Sequence, residues 1–246
     1  MTAGDLATDA AMPAPVMDDP DLRRVLDALA PHPAFVVGGA VRNALQGEPV
    51  DDIDIATAAR PDQTTALALA AGLKPVPTGI EHGTVTVVAG GRPFEVTTFR
   101  RDVETFGRRA VVAFSDDLSE DAMRRDFTMN ALYARADGTV IDPVGGLPDL
   151  RARRLRFVGD PDARITEDYL RILRFFRFHA RYGRAGAADA AALAACARHA
   201  DGLAGISRER IGAEMRKLLA APDPSEAVRL MEDAPSPIST GASSVV

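Results

Sequence analysis

Hydrophobic positions along the chain change period several times, and each change marks an element. Leu22, Val25, Leu26 and Leu29 recur at helical spacing and predict an amphipathic helix over 21–30. The apolar run Phe35-Val36-Val37 predicts a short buried strand ended by Gly38 and Gly39. A short helix over 40–46 follows, stopped by Gly47 and Pro49. Asp52-Ile53-Asp54-Ile55 alternates polar and apolar and predicts a strand with both carboxylates on one face, about 7 Å apart. A helix over 61–71 opens with proline and closes before Gly72. Segments 74–77, 83–88 and 93–99 predict three strands, with turns at Gly79 and Gly90-Gly91. Residues 100–120 are polar and weakly periodic and read as a mobile loop with a short hairpin around Gly107. A helix over 121–134, a strand over 139–143, a flexible joint over 145–150 and a last strand over 155–158 complete the mixed region. From residue 160 onward the pattern is helical only: 165–182, 187–200, 208–220 and 225–232.

Mixed strands and helices followed by helices alone imply an α+β chain of two domains, over 21–150 and 151–232. Residues 1–20 are rich in Ala, Asp and Pro and are expected to be poorly ordered. In 233–246 the apolar helical pattern gives way to a divergent Pro/Ser-rich tail, expected to be disordered.

Composition narrows the picture. With 46% hydrophobic residues, the 246-residue chain has material for a real core. It holds no apolar run of membrane-spanning length and shows no secretory pattern, so a cytoplasmic protein without membrane contact is expected. Cys196 is the only cysteine, which excludes an internal disulfide and a cysteine-only zinc site, and the four histidines lack metal-ligand spacing. The net charge is −6, but residues 151–184 carry ten arginines against four acids. Such a local excess suits phosphate recognition.

Chemistry concentrates in 35–57. Two carboxylates on one strand face repel unless a cation lies between them, and carboxylate oxygens suit Mg²⁺. The Gly38-Gly39 pair lets a backbone approach closely. The following helix start offers N–H groups, and Arg42 a guanidinium, to phosphate oxygens. Alone, a Gly-Gly pair is usually a turn and an Asp-x-Asp usually a solvated edge. Together, in strand–Gly-Gly–helix–strand order, they are far more specific. Glu95 reads on spacing alone as a solvated strand residue. Arg124, Arg125, Asp126 and Asn130 are the polar points of helix 121–134, which fit an ordinary surface face with local ion pairs; Arg125 and Asp126 could instead reach a nucleotide's phosphates and sugar. Glu167, Asp168, Arg171 and Arg174 fall at helical spacing, fit either for intrahelical salt bridges or for a base edge. Ser207 caps the helix over 208–220, where Arg210 and Glu214 are spaced as an i,i+4 pair.

The ordered set GGAVRN, DDIDIAT, HGTVTV, FEVTTFR, RRDFTMNALY, DPVGGLPDL, EDYLRILR and SRERI resembles the class II tRNA nucleotidyltransferases, which include CCA-adding enzymes and bacterial poly(A) polymerases. The match runs over about residues 35–230, and the fold it implies is a polymerase-β-like head with a mixed sheet, followed by an all-helical neck. Asp52 and Asp54 then hold catalytic Mg²⁺, with Glu95 as a supporting carboxylate. Gly38, Gly39 and Arg42 contact the triphosphate. Arg124, Arg125, Asp126 and Asn130 hold ribose and phosphates. Glu167, Asp168, Arg171 and Arg174 read the base of CTP or ATP. The family pattern carries Asp where this chain has Asn43. Residues 100–120 correspond to a loop associated with the switch from C to A addition, and 142–149 to the head–neck hinge. The implied activity is template-independent addition of CCA to a tRNA 3′ end, with no stable protein partner. Members normally continue into body and tail domains that this length does not accommodate. Alternatives are a poly(A) polymerase, an enzyme adding only the terminal A, or a truncated inactive RNA- or nucleotide-binding module. The basic stretch typical of poly(A) polymerases is replaced here by TGIEHGTVTVV, which favours CCA addition.

Overall fold

A computed structural model describes residues 6–102 and 112–233. The chain divides into two compact units. One comprises residues 1–125 and 129–147, the other residues 126–128 and 148–246.

The first unit is built on one mixed sheet. Its elements are β1 (Ala7–Ala11), α1 (Ala14–Met17), α2 (Pro20–Leu29), β2 (Ala34–Val37), α3 (Gly39–Leu45), β3 (Asp54–Thr57), α4 (Pro61–Ala70), β4 (Lys74–Gly79), β5 (Thr84–Ala89) and β6 (Arg92–Thr98). After them come β7 (Arg100–Asp102), β8 (Val112–Phe114), α5 (Leu118–Met123), β9 (Tyr133–Ala134) and β10 (Thr139–Ile141). The strand order is β1-β10-β9-β2-β3-β6-β5-β4, antiparallel throughout except for β3 beside β6. Alternation decides which face is covered. Val85, Val87, Ala89, Phe94, Val96 and Ile55 are buried, and α2 and α4 pack on these strands. The apolar stripe of α2, Leu22, Val25, Leu26 and Leu29, is buried as its spacing requires.

Residues 6–20 correct the expectation of disorder. β1 pairs antiparallel with β10, and the Thr8 hydroxyl donates to the Val140 carbonyl (3.0 Å). The pairing is almost wholly backbone, so an Ala-rich segment joins the sheet without an apolar pattern of its own. The expected strand over 52–55 also shifts. β3 begins at Asp54, leaving Asp52 in the approach to it, although Ile53 is buried and both aspartates are exposed as the alternation required. Of the loop expected over 100–120, residues 100–102 and 112–114 form the two-stranded β7–β8 ribbon, and 118–120 open α5. The hairpin expected around Gly107 lies outside the described residues, as does the tail beyond residue 233.

The predicted helix over 121–134 does not form. α5 ends at Met123, a 3-10 turn follows at Thr128–Asn130, and Tyr133–Ala134 becomes β9. Met129, Ala131, Leu132, Tyr133 and Ala134 are all fully buried. A segment this rich in apolar residues is drawn into the core, only its end as sheet, because burial rather than helical periodicity governs it.

The second unit consists of the end of α6 (Gly146–Arg151), α7 (Pro161–Glu167), α8 (Leu170–Tyr182), α9 (Ala190–Arg198), α10 (Arg208–Leu219) and α11 (Ser225–Asp233). Its core is aromatic: Phe127 lies 4.9 Å from Phe157 and 5.2 Å from Phe178, ring centre to ring centre. Two expectations fail here. Residues 145–150 are not a loose joint, since the Asp142 carboxylate accepts from the Gly146 and Leu147 amides (2.7 and 2.9 Å) and starts α6. The strand over 155–158 is a single bridge, Phe127 to Phe157. No helix of the described residues is long and apolar enough to cross a membrane.

Candidate active site

The sheet's open face carries the carboxylates. β3 and β6 run parallel with Asp54 opposite Glu95, and Asp52 stands two residues before Asp54. Asp54 reaches solvent, yet its carboxyl is raised above the ordinary carboxylate range. Loss of hydration beside the strands is the larger cause, the Glu95 charge the next, and the Asp52 charge adds while Arg125 opposes. Asp54 and Glu95, facing each other across the two strands, are oxygen donors whose shared negative charge a hard divalent cation would relieve. Among the described residues no group of three or more His, Cys, Asp or Glu side chains is placed to hold a metal ion. An open carboxylate pair of this kind suits Mg²⁺, which keeps waters and completes its shell with phosphate oxygens.

Gly38 and Gly39 lie beside these strands. Gly38 has φ +70° and precedes α3, and its N–H donates to the Leu132 carbonyl (3.0 Å). A Cβ built on it would meet Arg125 Nη1 at 3.4 Å and the Asn130 carbonyl at 3.5 Å, whereas Gly39 has ordinary room and no positive φ. Gly38→Ala is therefore expected to cost about 1–2 kcal/mol of stability through left-handed strain, and Gly39→Ala well under half as much. Thermal unfolding of the two variants side by side checks this.

Arg42 is buried and bonded to both neighbours. Its guanidinium donates to Asn130 Oδ1, and through Nε and Nη2 to Asn43 Oδ1 (3.1 and 2.9 Å). Asn43 thus accepts as an aspartate would. Its Nδ2 also donates to the Pro49 carbonyl (3.0 Å), a bond an aspartate could not make, which holds the loop leading to Asp52.

Beneath Gly38 is a closed polar circuit that the sequence did not reveal. Arg125 Nε donates to the Tyr133 hydroxyl (3.0 Å), that hydroxyl donates to Asp121 Oδ2 (2.8 Å), and Arg125 Nη2 donates to the same oxygen (3.0 Å). Asp121 Oδ1 also accepts the Arg100 amide (3.2 Å). Burial acts against the Arg125 charge, but Tyr133 and Asp121 outweigh it and hold its pKa above the usual value. Burial foremost pushes the Tyr133 phenol up, so it stays protonated. Asp121 was findable only through its i,i+4 spacing to Arg125.

The four polar points of 121–134 consequently disperse. Arg124 caps the end of α5, Arg125 turns to Tyr133, Asn130 meets Arg42, and Asp126 belongs to the helical unit. There Asp126 accepts from Arg174 Nε (2.9 Å) and from the Phe127 amide (2.8 Å). Burial opposes the Arg174 charge, and Asp126 more than offsets it.

The predicted helix over 165–182 is broken. Asp168 takes an extended conformation (φ −153°, ψ 103°) between α7 and α8, and its Oδ1 accepts the Leu170 amide (3.1 Å). Its Oδ2 accepts from Arg210 Nη2 (2.8 Å). The Glu167 carboxylate instead takes Arg164 and Arg171. The i,i+4 pair Arg210–Glu214 does not form, because Glu214 is buried against Arg177 (2.6 Å). Arg210 thus joins the candidate residues.

The model of the poly(A) polymerase head domain family matches residues 34–156, half of the chain. The chain belongs to the class II nucleotidyltransferase family. A second family model, described as a probable RNA and SrmB-binding site of polymerase A, matches residues 189–234. Human mitochondrial CCA tRNA nucleotidyltransferase 1 is 44% identical over 204 residues, covering 82% of this chain and 47% of its own. The CCA-adding enzyme of Geobacillus thermodenitrificans is 45% identical over 204 residues, covering 82% and 49%. The solved CCA-adding enzyme of Bacillus stearothermophilus in complex with CTP superposes with a TM-score of 0.78 at 40% identity, over 86% of this chain and 51% of that one. The family's mixed α+β head followed by a largely helical region is the architecture found here. The chain spans about half the length of the curated relatives it matches.

Proposed function

We propose that this chain carries the catalytic part of a CCA-adding enzyme, joining nucleotides from CTP and ATP to a tRNA 3′ end without a template. The observation that carries the reading is the register of Asp54 against Glu95 on the open face, with Asp52 close in sequence and Gly38 and Arg42 following the neighbouring strand. The similarity to CCA-adding enzymes of bacterial and mitochondrial origin supports the choice of substrate.

In this reading Asp52 and Asp54 hold Mg²⁺, and Glu95 adds negative charge beside them. When bound, the metal lowers the pKa of the attacking 3′-hydroxyl and neutralises the departing pyrophosphate. The protein's own part is positioning and charge. Gly38 and Gly39 give the triphosphate a close backbone approach. Arg42 is locked by Asn43 and Asn130, and Arg125 by Asp121 and Tyr133, so their donors need little reorganisation as charge moves to the leaving group.

Base choice falls to Asp168 and Arg171. A carboxylate accepts from an exocyclic amine and a guanidinium donates to ring acceptors, a combination that C and A satisfy and U does not. Arg210 on Asp168 fixes the acceptor. Asp168→Ala is expected to relax the preference for CTP and ATP over UTP and GTP by about 10-fold or more while leaving metal binding intact, since about 1–3 kcal/mol rides on one well-made base contact. Competition between labelled nucleotides in one incorporation reaction checks it; unchanged selectivity removes Asp168 from the role.

The activity itself is tested by supplying labelled CTP and ATP, with Mg²⁺, to tRNA lacking its last three nucleotides. Addition of C, C and then A is expected. Addition of A alone, or of many A residues, would replace the reading with an A-adding enzyme or a poly(A) polymerase.

A further inference from the structure

α6 ends in an unusual way. The Arg153 amide donates to the Leu150 carbonyl (3.1 Å), and the Arg154 amide to that of Asp149 (2.8 Å). This is the paired-bond helix stop whose left-handed residue is usually glycine. Here that residue is Arg153, at φ 51°, the only residue other than glycine with positive φ among those described. A side chain there strains the backbone, and glycine would relieve the strain.

The strained residue is exposed and sits next to a second arginine. The Arg153 carbonyl accepts from the Arg184 amide (2.9 Å), which sets the two residues side by side. Both side chains are exposed, and neither has a hydrogen-bond or ion-pair partner among the described residues. Nearby carboxylates are engaged elsewhere. Asp189 accepts from Arg154 (3.0 Å) and from the Ala192 amide (3.0 Å), and Glu226 accepts from the Gly186 amide (2.8 Å). The result is a backbone corner carrying two exposed arginine side chains, one of them at a strained position.

We infer that the Arg153–Arg184 corner is a contact site for the sugar–phosphate backbone of an RNA. The inference rests on the proposed function only in taking tRNA as the RNA. Guanidiniums bind phosphate oxygens in a bidentate manner, and an RNA backbone presents phosphates in series, which suits two adjacent arginines. Neither residue belongs to the proposed catalytic or nucleotide-binding machinery, and neither lies within 189–234, the segment matched by the RNA-binding family model.

The test uses the 246-residue chain and a labelled tRNA lacking its 3′-terminal three nucleotides. Binding is titrated over a range of salt concentrations for the natural chain, Arg153→Gly, Arg184→Gln and the double variant. Each single variant is expected to bind about 3- to 10-fold more weakly, with the salt dependence shallower by about one ion. Arg153→Gly is also expected to melt about 2–4 °C higher, because it relieves the left-handed strain. Weaker binding combined with a raised or unchanged melting temperature supports the site. Unchanged tRNA affinity in both single variants overturns it. A lower melting temperature for Arg153→Gly at unchanged affinity also overturns it, since the arginine would then serve the helix end. An equal loss of affinity for CTP, measured alone, overturns it in favour of a nucleotide site. A natural chain that binds tRNA through this corner but incorporates neither CTP nor ATP would overturn the proposed reaction and leave the corner standing; a natural chain that binds no tRNA overturns the corner.

Discussion

Asp54→Asn is expected to lower nucleotide incorporation by about 10³-fold or more, since the residue belongs to the carboxylate set proposed to hold the metal. Stability should not suffer. The fold holds the Asp54 carboxyl above its ordinary range, first by stripping hydration and then by placing Glu95 opposite. A neutral amide of the same shape removes that repulsion. Steady-state incorporation and thermal unfolding of the same preparation separate the two effects. Lost activity with an unchanged or raised melting temperature is the expected pair. Activity within about ten-fold of the natural chain would remove Asp54 from the metal site, given the size of such terms.

Asp121→Ala is expected to have the largest effect on folding. Asp121 is 2% exposed and takes the Tyr133 hydroxyl and Arg125 on one oxygen. Removing it leaves a guanidinium and a phenol without their shared acceptor. Breaking a buried pair in this way costs about 3–5 kcal/mol. Arg125 keeps 24% side-chain exposure, so water screens part of the loss and the lower end, about 3 kcal/mol, is expected. For a chain of this size that corresponds to about 6–12 °C in melting temperature. The double variant Asp121→Leu with Arg125→Met should recover part of the stability, because replacing a buried pair by apolar groups is often neutral. It should not recover incorporation, since the guanidinium beneath Gly38 is gone. Thermal unfolding and incorporation on the two variants and the natural chain test both halves.

Much of the candidate site's framework is legible in the sequence because it is local. Strand, Gly-Gly, helix and strand follow one another within 23 residues, and the alternation around Asp54 and around Glu95 fixed the face of each. Their alignment across β3 and β6 needed the resemblance to suggest it. What was not legible depends on distant partners. The hydrophobic period runs smoothly through Ile165, Leu170, Ile172 and Leu173, so one helix was expected. Asp168 interrupts it by bonding the Leu170 amide, a local competitor to helix, and Arg210 from α10 fastens the break. Asp126 stands next to Arg125 in the sequence, which suggests one shared role. Successive residues there point to different cores, and Arg174, 48 residues away, claims Asp126. β1 leaves no signal in composition, because its pairing is carried almost wholly by backbone groups.

Residues 126–128 leave the sheet-based unit, join the helical one and return before β9. Phe127, fully buried, packs on Phe157, Phe175 and Phe178, all supplied at least 30 residues later. During synthesis the ribosome therefore releases the aromatic anchor well before its partners, and the helical unit cannot close until α8 has emerged. The same interleaving limits genetic exchange. A recombination crossover placed at the apparent domain border near residue 148 would join one parent's Phe127 to another parent's helices, so neither unit is inherited as an independent cassette.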